Sequence, residues 1–247
     1  MKIILSRKGF DSGIGGVASP MFPSGELHSL PIPEFIPSRQ SKRYQEIQAG
    51  EHSLGAIVHD LTGGKVKPEM FAHLDPDLDA LSVPRPANWR PIFGQAGAAE
   101  KHLQNQGIKE GDVFVFYGWF KRVEQISGKY RYVKTVPDLH VIFGWLQVEQ
   151  RLSMDTTSDI PVWARDHPHC KARTYRHLDS IYISTSHLHL PSTKILKPGA
   201  GVFKRFANEL CPTAPGQSRT DIRHIETSRK SRAGPLSVSP ARNIGPG

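Results

Sequence analysis

The run Val113-Phe114-Val115-Phe116-Tyr117-Gly118-Trp119-Phe120 restricts this chain more than any other segment. Aromatic and β-branched residues at this density form a central strand, not a helix or a loop. Period-2 alternation puts Phe114, Phe116, Gly118 and Phe120 on one face, and Val115, Tyr117 and Trp119 on the other. One face must be core. The other is then free to stack a base, since stacking on aromatic side chains tolerates any sequence.

Around this strand the punctuation is that of hairpins. Ser127-Gly128 turns the chain into a strand over 129–136, and Leu139–Val148 and Asp179–Ser184 read as further buried strands. The opening Lys2-Ile3-Ile4-Leu5-Ser6 reads as a short buried strand. Met21–Leu27 forms a turn at Ser24-Gly25, followed by a strand over Leu27–Ile32. Residues 40–62 fit either a strand pair or a short helix. The clearest helix starts near Gln95 and stops at Gly107. Strand and helix do not alternate regularly, which excludes a doubly wound sheet. The expected fold is therefore α+β: a curled, mostly antiparallel sheet with few helices and long loops. Its strand grammar is similar to that of PUA-like barrels, with Gly118 and Gly144 marking bends.

The 247 residues carry a net charge of +9, which favours phosphate-bearing partners. Beyond Thr213, Pro, Gly, Ser, Thr and Arg dominate, and from residue 217 six cations face two carboxylates, so the tail supplies +4 of that charge. Such a tail buries too little apolar surface to order itself. One domain is expected over 1–215 and a disordered basic tail over 216–247. The abrupt change near Arg219 is also what an out-of-frame terminus would give. No apolar run is long enough to span a bilayer, and Met1–Lys8 is no signal peptide. The two cysteines, Cys170 and Cys211, make no disulfide scaffold, so a cytoplasmic location is the expectation.

Four groups of residues carry possible chemistry. The loop Ser6-Arg7-Lys8-Gly9-Phe10-Asp11-Ser12-Gly13-Ile14-Gly15-Gly16 combines cations, hydroxyls, a carboxylate and glycines at a strand end. Ser6, Arg7, Lys8, Ser12 and Gly13 are candidates for holding phosphate or carboxylate, and Asp11 for acid–base work. The spacing is neither a P-loop nor a dinucleotide fingerprint, and a plain polar turn is the competing reading. In His73-Leu74-Asp75-Pro76-Asp77-Leu78-Asp79, Asp75 and Asp77 are candidate general bases. The competing reading has Asp75 capping a helix start before Pro76, with Asp77 and Asp79 in solvent.

His167, His169, His177, His187 and His189 include two His-x-His pairs, yet their loose spacing reads as surface histidine and no metal is expected. Finally, Gln95 at a helix start, with Tyr117 and Trp119, are candidates for contacting a base.

The opening loop, Leu30-Pro31-Ile32-Pro33, His73–Leu78, Gly94–Ala99 and Gly111–Phe120, in that order, resemble the third of the nucleotide modification associated domain families. These are standalone bacterial and phage proteins grouped by association with modified-base systems. The resemblance spans roughly residues 1–215 and implies a nucleotide or nucleic-acid partner but no particular reaction or cofactor. Two functions follow as expectations: an enzyme acting on a nucleotide or on a base in nucleic acid, or a non-catalytic PUA-like reader of modified bases.

Overall fold

The computed structural model describes residues 1–38, 40–154, 160–170, 178–191 and 196–207. Contacts divide the chain into Met1–Pro212 and Thr213–Gly247. The second unit, and with it the expected disordered tail, lies outside the described residues, as does His177.

The strands in chain order are β1 (Ile3–Arg7), β2 (Ser19–Met21), β3 (Lys42–Arg43), β4 (Gln48–Ala49), β5 (His52–Ser53), β6 (Phe71–Ala72), β7 (Ile92–Ala96), β8 (Val113–Ile126), β9 (Lys129–Tyr132), β10 (Leu139–Ser153), β11 (Asp179–Ser184) and β12 (Ala200–Val202). Among the described residues two α-helices accompany them, α1 (Leu54–Leu61) and α2 (Gly97–Asn105). The main sheet runs β1-β8-β10-β11-β7, with β2 and β9 also on β8 and β12 also on β10. Most pairings are antiparallel, as the hairpin punctuation predicts, but β1 and β2 run parallel to β8. The path ends at β1 on one side and β7 on the other, so among the described residues the sheet does not close, and the barrel expectation is not met.

Strand β10 makes the bend. Its first part pairs with β8 and its last part, after a register shift between Val148 and Gln150, pairs with β11. Phe114, Phe116 and Phe120 on β8 are fully buried and pack with Phe93, Phe143 and Tyr182. Each such ring contributes roughly 1.5–3 kcal/mol by leaving water. The alternate residues Val115, Tyr117 and Trp119 are half-exposed on the outer face. A second cluster forms around α1, where Tyr44 donates its hydroxyl to the Pro31 carbonyl at 2.6 Å.

Three local expectations fail, one of them the strand over 129–136, which stops at Tyr132. The opening strand is not buried: β1 is an edge strand whose Ile3 and Leu5 are 65% and 60% exposed, while Ile4 points inward. Leu27–Ile32 forms no strand, contributing only a bridge between Leu27 and Met21 beyond the Ser24-Gly25 turn. Residues 40–62 contain both alternatives, the β4–β5 pair and then α1. Among the described residues, no helix is long and apolar enough to cross a membrane.

Candidate functional site

Behind β8, ionisable side chains from four distant parts of the chain converge. The chain leaves β1 through a backbone bond from Lys8 N–H to the Tyr117 carbonyl, and the Lys8 side chain turns inward over the Phe93 ring, 4.4 Å from its centroid. There Lys8 Nζ meets Asp75 Oδ2 at 2.9 Å. Asp75 Oδ1 accepts the Gly94 N–H at 2.6 Å and faces His167 Nε2 at 3.5 Å. Burial alone would raise the Asp75 carboxyl, but Lys8, His167 and His169 hold it well below the usual carboxylate range.

Two imidazoles complete the cluster. His73 places Nδ1 3.0 Å from Glu34 Oε2, and His169 places Nδ1 2.5 Å from Asp179 Oδ1. Their Nε2 atoms face each other at 3.3 Å, and His169 Nε2 lies 3.9 Å from Asp75 Oδ2. Nε2 of His73 and of His169 and a carboxylate oxygen of Asp75 thus all lie within 4.8 Å of one another. His169 is carried on a single 3-10 turn, Pro168–Cys170, that packs on β7. Gly94 makes this approach possible: a Cβ there would meet the His169 ring at 2.2 Å. The cluster is largely buried, with His73 and Lys8 at its rim (side chains 13% and 15% exposed).

The chain belongs to the nucleotide modification associated domain 3 family. The family model matches residues 2–240, running past residue 215 into the basic tail. No curated protein and no solved structure matches the chain. Membership ties this family member to nucleotide modification systems.

Among the residues singled out in sequence as catalytic or ligand-binding candidates, the fold joins Lys8 to Asp75, brings His73, His167 and His169 to the same cluster, and leaves the other candidates apart. Asp11 Oδ1 accepts the Gly13 and Ile14 N–H groups at 2.8 and 2.6 Å, which makes it the anchor of its own turn. Asp77 is not in solvent. It is buried and clamped by both guanidinium nitrogens of Arg85, yet burial, the larger influence, leaves its carboxyl above the ordinary value. Asp75 caps no helix either, because it is committed to Lys8 and Gly94.

Arg7 and Ser12 are exposed and Ser6 is half-buried on β1. Gln95 lies on β7 rather than at a helix start. Tyr117 meets His140 edge-on, and Trp119 Nε1 donates to Asp138 Oδ2 at 2.9 Å. Of the histidines read as surface residues, His187 and His189 are exposed, but His167 and His169 are 3% and 5% exposed, which corrects that reading. Sequence reasoning did not single out Glu34 or Asp179. The available signal was the His-x-Asp and His-x-His spacing at 73–75 and 167–169, which offers ligands without saying what backs them.

Proposed function

We propose that this chain is a cytoplasmic enzyme that modifies a nucleotide, or a base within nucleic acid, at the Lys8–His73–Asp75–His169 cluster. The observation that carries this reading is the buried pair of carboxylate-backed imidazoles beside a lysine–aspartate pair. Burying so many ionisable groups costs stability that an apolar core would not forfeit. Sites of chemistry are where such arrangements are kept. Glu34 and Asp179 each accept from an Nδ1–H, which fixes both tautomers and turns both Nε2 lone pairs into the cluster. There they can hold a proton or a Lewis acid beside a bound substrate. Lys8 at the rim supplies positive charge for a phosphate or for charge developing in the reaction.

A specific observation favours one second reading, a reader of modified bases. On the outer face Trp119, Lys121, Tyr132 and Lys134, with the Asp138 carboxylate that pairs with Lys121, line an open cleft of about 330 Å³.

Thermal-shift measurement on the full chain separates the two, using a panel of nucleotides, nucleosides, sugar nucleotides and short DNA and RNA. The enzyme reading expects stabilisation by a small nucleotide that His73→Ala abolishes and Trp119→Ala preserves. Stabilisation by oligonucleotides alone, lost in Trp119→Ala, would replace it with the reader.

A further inference from the structure

We propose that His73, His169 and Asp75 form a binding site for one divalent transition metal of the zinc or ferrous-iron class. An ionised carboxylate only accepts hydrogen bonds, so Glu34 at 3.0 Å and Asp179 at 2.5 Å place the ring hydrogen on Nδ1 of both imidazoles. In the neutral ring that leaves a lone pair on each Nε2, and the two lone pairs face each other at 3.3 Å. Two such donors repel unless a positive centre lies between them. Nitrogen ligands about 2.0–2.1 Å from a tetrahedral metal stand about 3.3 Å apart, which is the spacing found here.

The third donor is Asp75 Oδ2, 3.9 Å from His169 Nε2. Lys8 occupies one lone pair of that oxygen and leaves the other. Asp75 Oδ1 is fixed by the Gly94 N–H, and His167 approaches from the other side. His167 Nδ1 accepts the His169 N–H at 3.3 Å, so its ring hydrogen sits on Nε2, facing Asp75. Among the described residues His167 Nε2 makes no hydrogen bond, and with the ring hydrogen on it His167 is not a fourth ligand.

The surroundings are those of a metal centre. Imidazole ligands characteristically donate their second nitrogen to a carboxylate, which orients the ring and raises its basicity. Two imidazoles with one carboxylate suit zinc or ferrous iron, whereas calcium and magnesium prefer oxygen donors throughout. Three protein donors leave coordination positions for water or substrate, and the partly exposed His73 and Lys8 mark the side from which either can enter. The competing occupant of the gap is a single proton shared by the two rings.

This site stands on its donor geometry alone and does not depend on the nucleotide reading. Its test therefore reads metal and not substrate. The chelator-treated full chain is titrated with Co2+ while the visible d–d absorption is followed. Metal content of protein grown with zinc or iron is measured by mass spectrometry, and circular dichroism checks the fold of each variant.

One metal per chain is expected, weakened more than about 100-fold in His73→Ala and about 10–100-fold in Glu34→Gln. Glu34→Gln keeps the side chain's shape, so it decides the matter if His73→Ala fails to fold. Substoichiometric metal, or wild-type affinity in the folded variants, overturns the proposal in favour of the shared proton.

Discussion

The two sides of β8 each carry a lysine–aspartate pair, and the contacts are nearly the same length. Lys8 meets Asp75 at 2.9 Å on the inner side, and Lys121 meets Asp138 at 3.1 Å on the outer. Their surroundings differ. The inner side chains are 15% and 2% exposed, the outer ones 24% and 41%. Water screens the outer pair to a contribution of about 0–1 kcal/mol. The inner pair gains more from its Coulomb attraction and also bears a desolvation cost that only intact partners offset. Contact geometry alone therefore does not reveal which pair organises a site. Burial does, and the inner pair is the one joined by the two imidazoles.

The strongest way to break this contrast is Lys8→Met, which leaves the Asp75 charge buried with the Gly94 N–H and the neighbouring histidines but no lysine. A loss of about 3–5 kcal/mol in urea unfolding is expected, and a loss below about 1 kcal/mol would make the two pairs equivalent. Gly94→Ala is next. Its new methyl collides with the His169 ring, and overpacking of this kind costs about 1–3 kcal/mol. Because it displaces a ligand, Co2+ affinity should fall as well. Unchanged affinity would separate His169 from the metal.

Lys121→Met is expected to change stability by less than about 1 kcal/mol and to leave Co2+ binding intact. A larger loss would mean that the outer pair also organises structure.

The smallest effect sharpens the outer side. Burial raises the Asp138 carboxyl, but donors from Trp119 and Lys121 more than reverse this, so it titrates below its ordinary value. A depressed carboxyl contributes stability above its unfolded pKa of about 3.9 and loses it as pH falls through the folded value. Trp119→Phe removes one donor and should move the Asp138 titration upward in carboxylate NMR. An unmoved titration would assign the depression to Lys121.

The sheet was legible because it follows local rules. The alternation in Val113–Phe120 separates a core face from an outer face, and that is how Phe116 and Tyr117 lie. The edge was less legible: Ile3 and Leu5 have strand chemistry, but they lie on the outer face of an edge strand while Ile4 alone packs on the core. At the site, Lys8 and Asp75 could be singled out as reactive types, yet they are 67 residues apart and only the fold pairs them. Pro76 misdirected the reading of Asp75, because Asp-Pro is also a helix-start pattern. His73 and His169 are 96 residues apart, and their backing carboxylates, Glu34 and Asp179, belong to no motif with them. Spacing along a chain cannot show which carboxylate will lie behind which ring.

X-ray absorption at the metal edge of the loaded full-length protein tests most directly whether this cluster is a metal-assisted site. Two imidazole nitrogens and a carboxylate oxygen at about 2.0–2.2 Å are the expected shell, with one imidazole lost in His73→Ala. An all-oxygen shell, or a shell unchanged by that substitution, would contradict it.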